Sequence, residues 1–403
     1  MKIEKIRIKN FKVYQNTEVR DMPNLCVFLG ANGAGKSTLF DVFGFLSDSL
    51  KNNVKTALNR RGGFKEVYSR DGKGDIEFEI KFRNPEIEGK KQPLITYELS
   101  ISLKEETSIP VITKEILSYR RGQYGKPYRF LDFSYGKGNA IINESEFENA
   151  KQEFQEQREE QTLDGPDILA IKGLGQFQKF TAISAFRRLL DNWYVSNFQI
   201  QAAQNVEDTG ISEHLSTTGN NLAQVTKYIY ENYPDTFKHI LQKMKDRVPG
   251  IEEVEASETI DGRIVLQFKD GSFKDPFISR FVSDGTIKMF AYLVLLHDPH
   301  PHPLLCVEEP ENYLHHELLV ELAEEFREYA NRGGQVFVSS HSPDFVNALE
   351  LPELFWLNKE NGYTSIKRAS DDEMVKKLFT EGEPLGALWK QGYLIGSGPK
   401  RVK

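Results

Sequence analysis

The glycine-rich segment of this chain reads Gly30-Ala31-Asn32-Gly33-Ala34-Gly35-Lys36-Ser37-Thr38. An unbroken apolar run, residues 25–29, precedes it, and apolar residues at helical spacing follow it: Leu39, Phe40, Val42, Phe43 and Leu46. The pattern therefore predicts a buried strand, a tight loop and a helix in that order. Glycines let such a loop turn its amides onto phosphate groups.

This segment is a candidate nucleotide site. Lys36 can reach terminal phosphates and assist catalysis, and the Ser37 hydroxyl is placed for Mg2+ at the start of the helix. The residues expected to bind the nucleotide are Gly30, Asn32, Gly33, Ala34, Gly35, Lys36, Ser37 and Thr38. The alternative is a glycine-rich turn without a ligand, and the flanking strand and helix argue against it.

Composition narrows the class of protein. The chain has 403 residues and a formal net charge of -7, so binding to nucleic acid would need a local basic surface. No apolar stretch approaches the length of a membrane span, and the N-terminus lacks the apolar region of a secretory signal, which predicts a cytoplasmic protein without a membrane partner. Cys26 and Cys306 lie inside apolar runs and are expected to be buried, so no disulfide or zinc site is predicted.

Two basic segments are candidate nucleic-acid contacts. Residues 51–73 carry seven lysines and arginines against two acids, with Gly62-Gly63 in the middle. The segment is either a loop facing a polyanion or the nucleotide of a partner subunit, or a solvated connection. Residues 119–129 interleave arginine, lysine and tyrosine, which can contact phosphates and stack on bases. An exposed hairpin tip explains the second segment at least as well.

The remaining periodicity outlines the fold. A short strand is expected over residues 2–11. Alternation in 76–82, 95–103 and 111–119, with turn residues at 84–85 and 89–93, predicts antiparallel hairpins. Three helical blocks follow: a charged one over residues 146–160, a more apolar one over 177–194, and a third over 221–244 that ends at Val248-Pro249-Gly250. Strands return at 251–256 and 263–268.

Three motifs near the end carry chemistry. Ser283-Asp284-Gly285-Thr286 precedes a helical apolar block, and such a turn offers a hydroxyl and amides to an anion. The apolar run 304–307 ends in Glu308 and Glu309, which suit Mg2+ and the attacking water respectively. The run 336–338 leads to His341, where ligands bind in open α/β sheets if this strand is parallel. Ordinary turns, surface glutamates and a structural histidine are the alternatives.

In this order the motifs resemble those of the ABC-type ATPases of the RecF, SMC and OLD group, and of their small stand-alone members in particular. The opening Ile6-Arg7-Ile8-Lys9-Asn10-Phe11 and the stretch Thr218 to Ala223 add to the resemblance, which covers nearly the whole chain. It implies ATP and Mg2+ as cofactors, and a head-to-tail homodimer. In this dimer the signature of one copy, which is Ser283, Asp284, Gly285 and Thr286, closes over ATP on the phosphate loop of the other, which is residues 30–38. A higher oligomer stays open.

The resemblance also implies roles for single residues. Glu309 corresponds to the catalytic glutamate, Glu308 to a metal-binding carboxylate, His341 to the switch histidine, and Asn312 to His315 to a loop crossing the dimer interface. The glutamine loop is not placed, with Gln199 and Gln201 as unsupported candidates. The Toprim domain of OLD-type nucleases is expected to be absent, so no nuclease activity of its own is expected.

The expected fold class is α/β: a single ABC-ATPase (P-loop NTPase) head over residues 1–403, with a mixed central sheet, an antiparallel β subdomain and a helical lobe. Its expected parts are residues 1–70 with the N-terminal strands, phosphate loop and helix, 71–143 with the antiparallel strands, 144–250 with the helical lobe, 251–350 with the signature, acidic and histidine motifs, and 351–403 as the C-terminal end.

The expected function is an ATPase that dimerises on ATP and controls a separate effector protein, a nuclease or toxin, in anti-phage defence or DNA maintenance. The alternative is a nucleotide-gated scaffold with little turnover that sequesters such a partner. Direct binding of DNA or RNA stays open. A transporter ATPase is a third hypothesis, which the signature and the hairpins disfavour.

Overall fold

The computed structural model describes residues 2–83, 94–104, 108–119, 127–143 and 156–398. Within these residues the chain forms two compact units. The first comprises Met1–Trp193, Leu351–Glu383 and Gln391–Lys403, and the second comprises Tyr194–Glu350 and Pro384–Lys390. The phosphate loop belongs to the first unit, whereas the signature, the two glutamates and His341 belong to the second.

The strands are numbered in chain order. They are β1 (Lys2–Phe11), β2 (Tyr14–Arg20), β3 (Leu25–Leu29), β4 (Ile76–Arg83), β5 (Leu94–Leu103), β6 (Pro110–Tyr119), β7 (Tyr128–Ser134), β8 (Lys137–Ile141), β9 (Arg158–Thr162), β10 (Trp193–Val195), β11 (Glu207–Asp208), β12 (Ile251–Glu258), β13 (Arg263–Asp270), β14 (Phe277–Ile278), β15 (Leu304–Glu308), β16 (Gln335–Ser340), β17 (Leu354–Glu360) and β18 (Tyr363–Arg368).

The α-helices are numbered in the same way. They are α1 (Lys36–Lys51), α2 (Val54–Asn59), α3 (Phe64–Val67), α4 (Ala170–Leu174), α5 (Thr181–Asp191), α6 (Ile200–Gln204), α7 (Leu222–Asn232), α8 (Pro234–Arg247), α9 (Asp284–Leu296), α10 (Leu318–Asn331), α11 (Pro343–Asn347), α12 (Glu373–Thr380) and α13 (Leu385–Lys390). In the part of the chain that the structure describes, none of the helices is long and apolar enough to cross a membrane.

An antiparallel sheet lies in the first unit. Its strand order is β2-β1-β4-β5-β6-β7-β8-β9. The predicted alternation sets the register, since Ile8 pairs with Phe78 and Ile6 with Ile80, and these four side chains are buried. Because alternate residues face one side of a strand, this register gathers the apolar side chains on one face. The predicted hairpin strands are therefore confirmed, while their expected turns at 84–85 and 89–93 lie outside the described residues.

Three strands of the same unit, β3, β17 and β18, run in mixed directions and carry the phosphate loop. Strand β3 is buried at every position, pairs in parallel with β17, and β17 pairs antiparallel with β18. The Phe28 ring of β3 packs on Phe40 of α1 at 6.2 Å and on Phe355 of β17 at 5.3 Å between ring centroids. This packing fixes the strand end and the helix start between which the loop runs.

The helix after the loop is anchored by an aromatic cluster. Phe45 of α1 packs against Phe11 of β1 at 5.6 Å and Phe78 of β4 at 5.7 Å between centroids. All three rings are fully buried. The predicted helical spacing after Lys36 is thus confirmed, and its apolar face covers the antiparallel sheet.

The second unit has a parallel strand pair and a buried helix. Strands β15 and β16 run parallel, with Glu308 opposite Ser339. Helix α9 is buried along its whole length from Thr286 to Leu296. Its Tyr292 ring packs on Phe326 of α10 at 6.1 Å, and its Phe290 on Phe268 of β13 at 5.5 Å between centroids. This core holds the motifs that follow β15 and β16.

Two helical predictions differ from the structure. Residues 158–160 of the charged block lie in strand β9, which pairs antiparallel with β8, because this pairing satisfies the backbone while the charged side chains stay at the exposed edge. The rest of that block up to residue 155 lies outside the described residues. The block 221–244 is two helices, since Pro234 cannot donate a backbone hydrogen bond and disfavours helix at Tyr233.

Candidate functional site

The phosphate loop has a backbone that only glycine adopts easily. Gly33 and Gly35 have φ of 75° and 106°, in the left-handed region that side chains with a Cβ disfavour. A Cβ on Gly35 would also lie 2.8 Å from Cγ2 of Val13. The glycine at position 35 is therefore required by both conformation and space.

Side chains outside the loop hold its carbonyl groups. The Tyr14 hydroxyl donates to the carbonyl of Gly35 at 2.8 Å, and the Thr364 hydroxyl donates to that of Ala34 at 2.7 Å. Lys359 donates to the carbonyl of Gly33 at 3.0 Å. Three consecutive carbonyls thus have donors from β2, β17 and β18, which fixes the loop conformation.

Lys36 and the helix start supply the donors expected for phosphate. The buried Lys36 ammonium donates to the carbonyl of Gly30 at 2.7 Å, and Ser37 is exposed. The N-cap of α1 is Gly35, which has no side chain to cap the first amides. An ammonium, a hydroxyl and helix N-terminal amides are the groups that bind a nucleotide triphosphate with Mg2+, so the residues present fit both.

The predicted glutamates stand at the end of β15. Glu308 is its last residue, and the Glu309 amide donates to the carbonyl of Ser339 at 2.9 Å. Glu309 has a φ of 45°, which is unusual for a residue other than glycine. Strain of this kind clusters at functional sites, where the surrounding structure holds it in place.

His341 and Glu309, which follow β16 and β15, are brought together. His341 Nε2 lies 3.3 Å from Oε1 of Glu309, and both side chains are about one-third exposed, at 32% and 39%. The side-chain amide of Asn312 donates to the other carboxylate oxygen of Glu309 at 2.9 Å. The Glu309 carboxylate is therefore oriented by one contact on each oxygen and remains accessible.

Glu311 was not singled out from the sequence, yet it joins the two loops. Its Oε1 accepts hydrogen bonds from the Ser340 hydroxyl at 2.9 Å and from the His341 backbone amide at 2.5 Å. Glu311 therefore fixes the backbone that carries His341. Its place in Glu308-Glu309-Pro310-Glu311-Asn312, three acids within one short motif, was the available signal.

Lys288 is the second residue that sequence reasoning missed. Its buried ammonium donates to the carbonyls of Glu309 at 3.2 Å and Asn312 at 2.8 Å. Burial lowers the pKa of Lys288 to about 8, against the opposing attraction of Glu311 and Glu309. A lysine inside the apolar block of α9 was the only signal for it.

The signature residues form the start of α9. The Ser283 hydroxyl caps the helix by accepting from the Thr286 amide at 3.3 Å, and it lies 2.7 Å from the Thr286 hydroxyl. A Cβ on Gly285 would lie 2.6 Å from the carbonyl oxygen of Tyr313. Gln204 donates to the carbonyl of Val282 at 3.2 Å. The signature turn is thereby fixed to the loop that follows Glu309.

The basic segment 51–73 is partly helical and is not an open loop. It contains helices α2 and α3, the first capped by the Asn53 side chain, which accepts from the Thr56 amide. Arg61 is 11% exposed and pairs with Asp41 and Asp48 of α1. Part of its positive charge is therefore neutralised within the first unit. Of the second basic segment, residues 120–126 lie outside the described residues, and Arg129 pairs with Asp132.

A glycine loop between a buried strand and a helix, in a mixed α/β fold with strands that end in acids and a histidine, defines a P-loop nucleotide-binding protein. A family model described as "AAA domain" matches residues 5–252, more than half of the chain, so the chain belongs to the AAA domain family. A second model, described as "AAA domain, putative AbiEii toxin, Type IV TA system", matches residues 181–347.

Two curated relatives are similar to this chain. An ATP/GTP phosphatase of Helicobacter pylori (strain ATCC 700392 / 26695) is 22% identical over 425 residues, which is 95% of this chain and 99% of that protein. The DNA double-strand break repair Rad50 ATPase of Pyrococcus abyssi (strain GE5 / Orsay) is 38% identical over 85 residues. That match covers 21% of this chain and 9% of Rad50, so the chain spans less than a tenth of that relative.

Among solved structures, the fold is similar to an SMC head crystallised with the C-winged helix domain of ScpA. The TM-score is 0.56 at 15% identity, over 93% of this chain and 100% of that chain. This likeness shows the fold. It confirms the predicted α/β fold of the ABC/SMC type, while the family match and the two relatives, one named as an ATPase and the other as an ATP/GTP phosphatase, identify the chain as an ATP-hydrolysing enzyme.

Proposed function

We propose that this enzyme hydrolyses ATP at two composite sites of a head-to-tail homodimer and uses the change between closed and open forms to control a separate effector protein. The observation that carries the proposal is the accessible Glu309 carboxylate, held between His341 Nε2 and the Asn312 amide. A carboxylate oriented on both oxygens and still open to solvent suits the activation of a water molecule.

The phosphate loop would bind the substrate. In the structure Lys36 donates to the Gly30 carbonyl. When ATP binds, its ammonium would turn to the terminal phosphates, and the loop amides would bind the other phosphate groups. Bound Mg2+ neutralises phosphate charge, and Ser37 and Glu308 are the residues that would hold it. Asn32, Gly33, Ala34 and Thr38 would complete this half of the site.

Glu309 would act as the base. Its carboxylate accepts a proton from water as the water oxygen bonds to the γ-phosphorus, and the bond from that phosphorus to the β–γ bridging oxygen breaks to give ADP and phosphate. His341 would donate a hydrogen bond to the γ-phosphate. Lys288 and Glu311 would be positioning residues, since Lys288 holds the backbone of Glu309 and Glu311 holds that of His341.

Exposed side chains beside the signature support the homodimer. Phe281 and Tyr313 are 73% and 68% exposed, although large aromatic side chains are usually covered. Phe281 lies two residues before Ser283, and the Tyr313 carbonyl contacts the Gly285 position. Asp284, Gly285 and Thr286 would then approach ATP bound to the second copy.

A mixing experiment tests the composite site. Lys36→Ala removes the phosphate-binding ammonium, and Ser283→Arg blocks the signature while it leaves the phosphate loop intact. We expect each variant alone to have lost hydrolysis, with nucleotide binding lost only in Lys36→Ala, and an equal mixture to regain activity through heterodimers with one intact site. A Ser283→Arg variant that hydrolyses ATP normally would exclude composite sites, and a Lys36→Ala variant with normal ATP affinity would exclude the loop assignment.

The effector is proposed from the comparisons. The family description that names a putative toxin of a toxin–antitoxin system supports a role in anti-phage defence, whereas the repair activity named for Rad50 supports DNA maintenance. A nuclease or toxin partner fits the first role. Stimulation of ATPase activity by DNA or RNA, weakening as salt rises, would favour the second. Turnover that ignores DNA but changes with a co-purifying protein would favour the first.

A further inference from the structure

A second group of ligand-type side chains lies in the second unit, apart from the residues of the proposed ATPase site. His214, Asp298 and His302 each offer one ligand atom, and these three atoms all lie within 4.8 Å of one another. The three residues come from two separate segments, one before α7 and one between α9 and β15. The fold therefore brings them together, since they are not neighbours in sequence.

The carboxylate of this group is fixed and shielded. Asp298 is 4% exposed, and its Oδ2 lies 2.7 Å from Nδ1 of His214. Its Oδ1 accepts a hydrogen bond from the His300 backbone amide at 2.8 Å. A buried carboxylate needs such contacts. One oxygen of Asp298 contacts a histidine ring, and the other accepts from the backbone.

Neighbouring residues also contact the two histidines. The His302 ring packs on Tyr194 with 5.0 Å between centroids, and its carbonyl accepts from the Tyr329 hydroxyl at 3.2 Å. The His214 carbonyl accepts from the Asn221 amide at 3.0 Å. Pro301 and Pro303, on either side of His302, restrict the loop further. These contacts hold the backbone of both histidines and the ring of His302 in place.

We propose that His214, Asp298 and His302 bind a zinc ion. Two imidazole nitrogens and one carboxylate oxygen are a ligand set typical of Zn2+, with water in the fourth position. Ligand atoms around tetrahedral zinc lie roughly 3.3 Å apart, from bond lengths of about 2.0–2.1 Å. The His214–Asp298 contact would open slightly and the His302 nitrogen would close in, both by side-chain rotation. The competing explanation is a His–Asp hydrogen bond without a metal.

The zinc would act as a structural clip. His302 lies just before β15, whereas Glu308 is its last residue, roughly 20 Å away at the rise of a strand. The ion would not take part in hydrolysis. It would tie the segment that leads into α7 to the loop that starts β15, and so stabilise the strand whose far end carries the acids.

The test titrates Zn2+ into the metal-stripped full-length chain, without an added histidine tag and in excess Mg2+, by calorimetry and by metal analysis after desalting. We expect about one zinc per chain, a higher melting temperature with zinc, and visible absorption bands of low symmetry when Co2+ replaces it. His214→Ala and His302→Ala should lose the bound metal. His239→Ala, which removes an exposed histidine of the same unit, should keep it.

Equal zinc binding by wild type and His302→Ala would overturn the proposal, as would binding lost in His239→Ala alone. His302→Gln serves as a second variant if the alanine variant does not fold, because glutamine keeps a polar side chain but binds zinc weakly. If His214→Ala lowers the melting temperature of the metal-free chain and the wild type takes up no zinc, the group is a His–Asp pair only.

Discussion

The phosphate loop and the loop after β15 are both held in fixed conformations, but by different chemistry. Neutral hydroxyls of Tyr14 and Thr364 hold two carbonyls of the phosphate loop, and burial raises the pKa of Tyr14 so that its hydroxyl stays protonated. Charged groups, Lys288 and Glu311, hold the loop that carries Glu309. Lys359 adds a charged donor at the Gly33 carbonyl, but the two neutral hydroxyls do not change charge near neutral pH, so the first loop should depend less than the second on pH and on the loss of one of these donors.

The largest expected effect comes from Glu309→Gln. The amide keeps the size of the side chain but cannot accept a proton, so kcat should fall by roughly 10²- to 10⁴-fold while ATP still binds. Steady-state hydrolysis and an ATP-binding titration measure the two quantities separately. Glu324→Gln, which alters an exposed acid of α10, is the matched control, and wild-type turnover by Glu309→Gln would show that Glu309 is not the base.

A smaller loss is expected for Glu311→Gln. The variant keeps one acceptor for the Ser340 hydroxyl or the His341 amide but loses the charge, so the position of His341 becomes less defined. We expect kcat to fall roughly 10- to 100-fold, with a change in KM of less than about threefold. A change confined to KM would contradict a positioning role for Glu311.

Lys288→Met separates charge from packing. The ammonium is charged below its pKa of about 8, so wild-type kcat should fall as pH rises through 8, and the variant should be slower by about tenfold at pH 7 with this dependence lost. Turnover between pH 6.5 and 9.5 measures both.

The same lysine predicts the sign of a stability change. The pKa of Lys288 is lower in the folded than in the unfolded chain, so between pH 8 and 10.5 the unfolded chain binds more protons. Relative to Lys288→Met, the free energy of unfolding of the wild type should therefore rise with pH across this window. Urea unfolding at pH 7.5 and 10 tests it, and a falling difference would place the ammonium outside the buried site.

The smallest effect is expected in the phosphate loop. Thr364→Val removes the hydroxyl that donates to the Ala34 carbonyl and keeps the shape, which costs about 1 kcal/mol or about fivefold in ATP affinity. Tyr14→Phe should behave alike. Both changes should be independent of pH between 6.5 and 9.5. A pH-dependent loss of ATP affinity would remove the contrast between the two loops.

Local sequence patterns predicted the elements better than the contacts between them. The apolar run 25–29 and the glycines at 33 and 35 specify a strand, a loop and a helix through their own backbone preferences. Helix 221–244 was predicted as continuous because its spacing is continuous, although Pro234 divides it. Charge density alone misled the prediction for 158–160, because pairing with β8 decides that segment.

Sequence patterns identified the candidate site residues that lie in local motifs. They missed the side chains that act on residues far away in sequence. Glu309 and His341 stand at strand ends, which is a position that a sequence reveals. Lys288 acts on carbonyls 21 and 24 residues further along the chain, and its neighbours in sequence are apolar. No local pattern encodes such a contact, so only the fold identifies it.

The two native cysteines have a practical consequence for watching this enzyme work. Cys26 and Cys306 are both fully buried, and burial raises the pKa of the Cys26 thiol, so neither should react with a maleimide while the chain is folded. A Phe281→Cys variant would then carry one reactive thiol per chain, two residues before Ser283. Paired fluorescent or spin labels at that position would report the distance between the two copies of the proposed homodimer during turnover, without prior removal of any native cysteine.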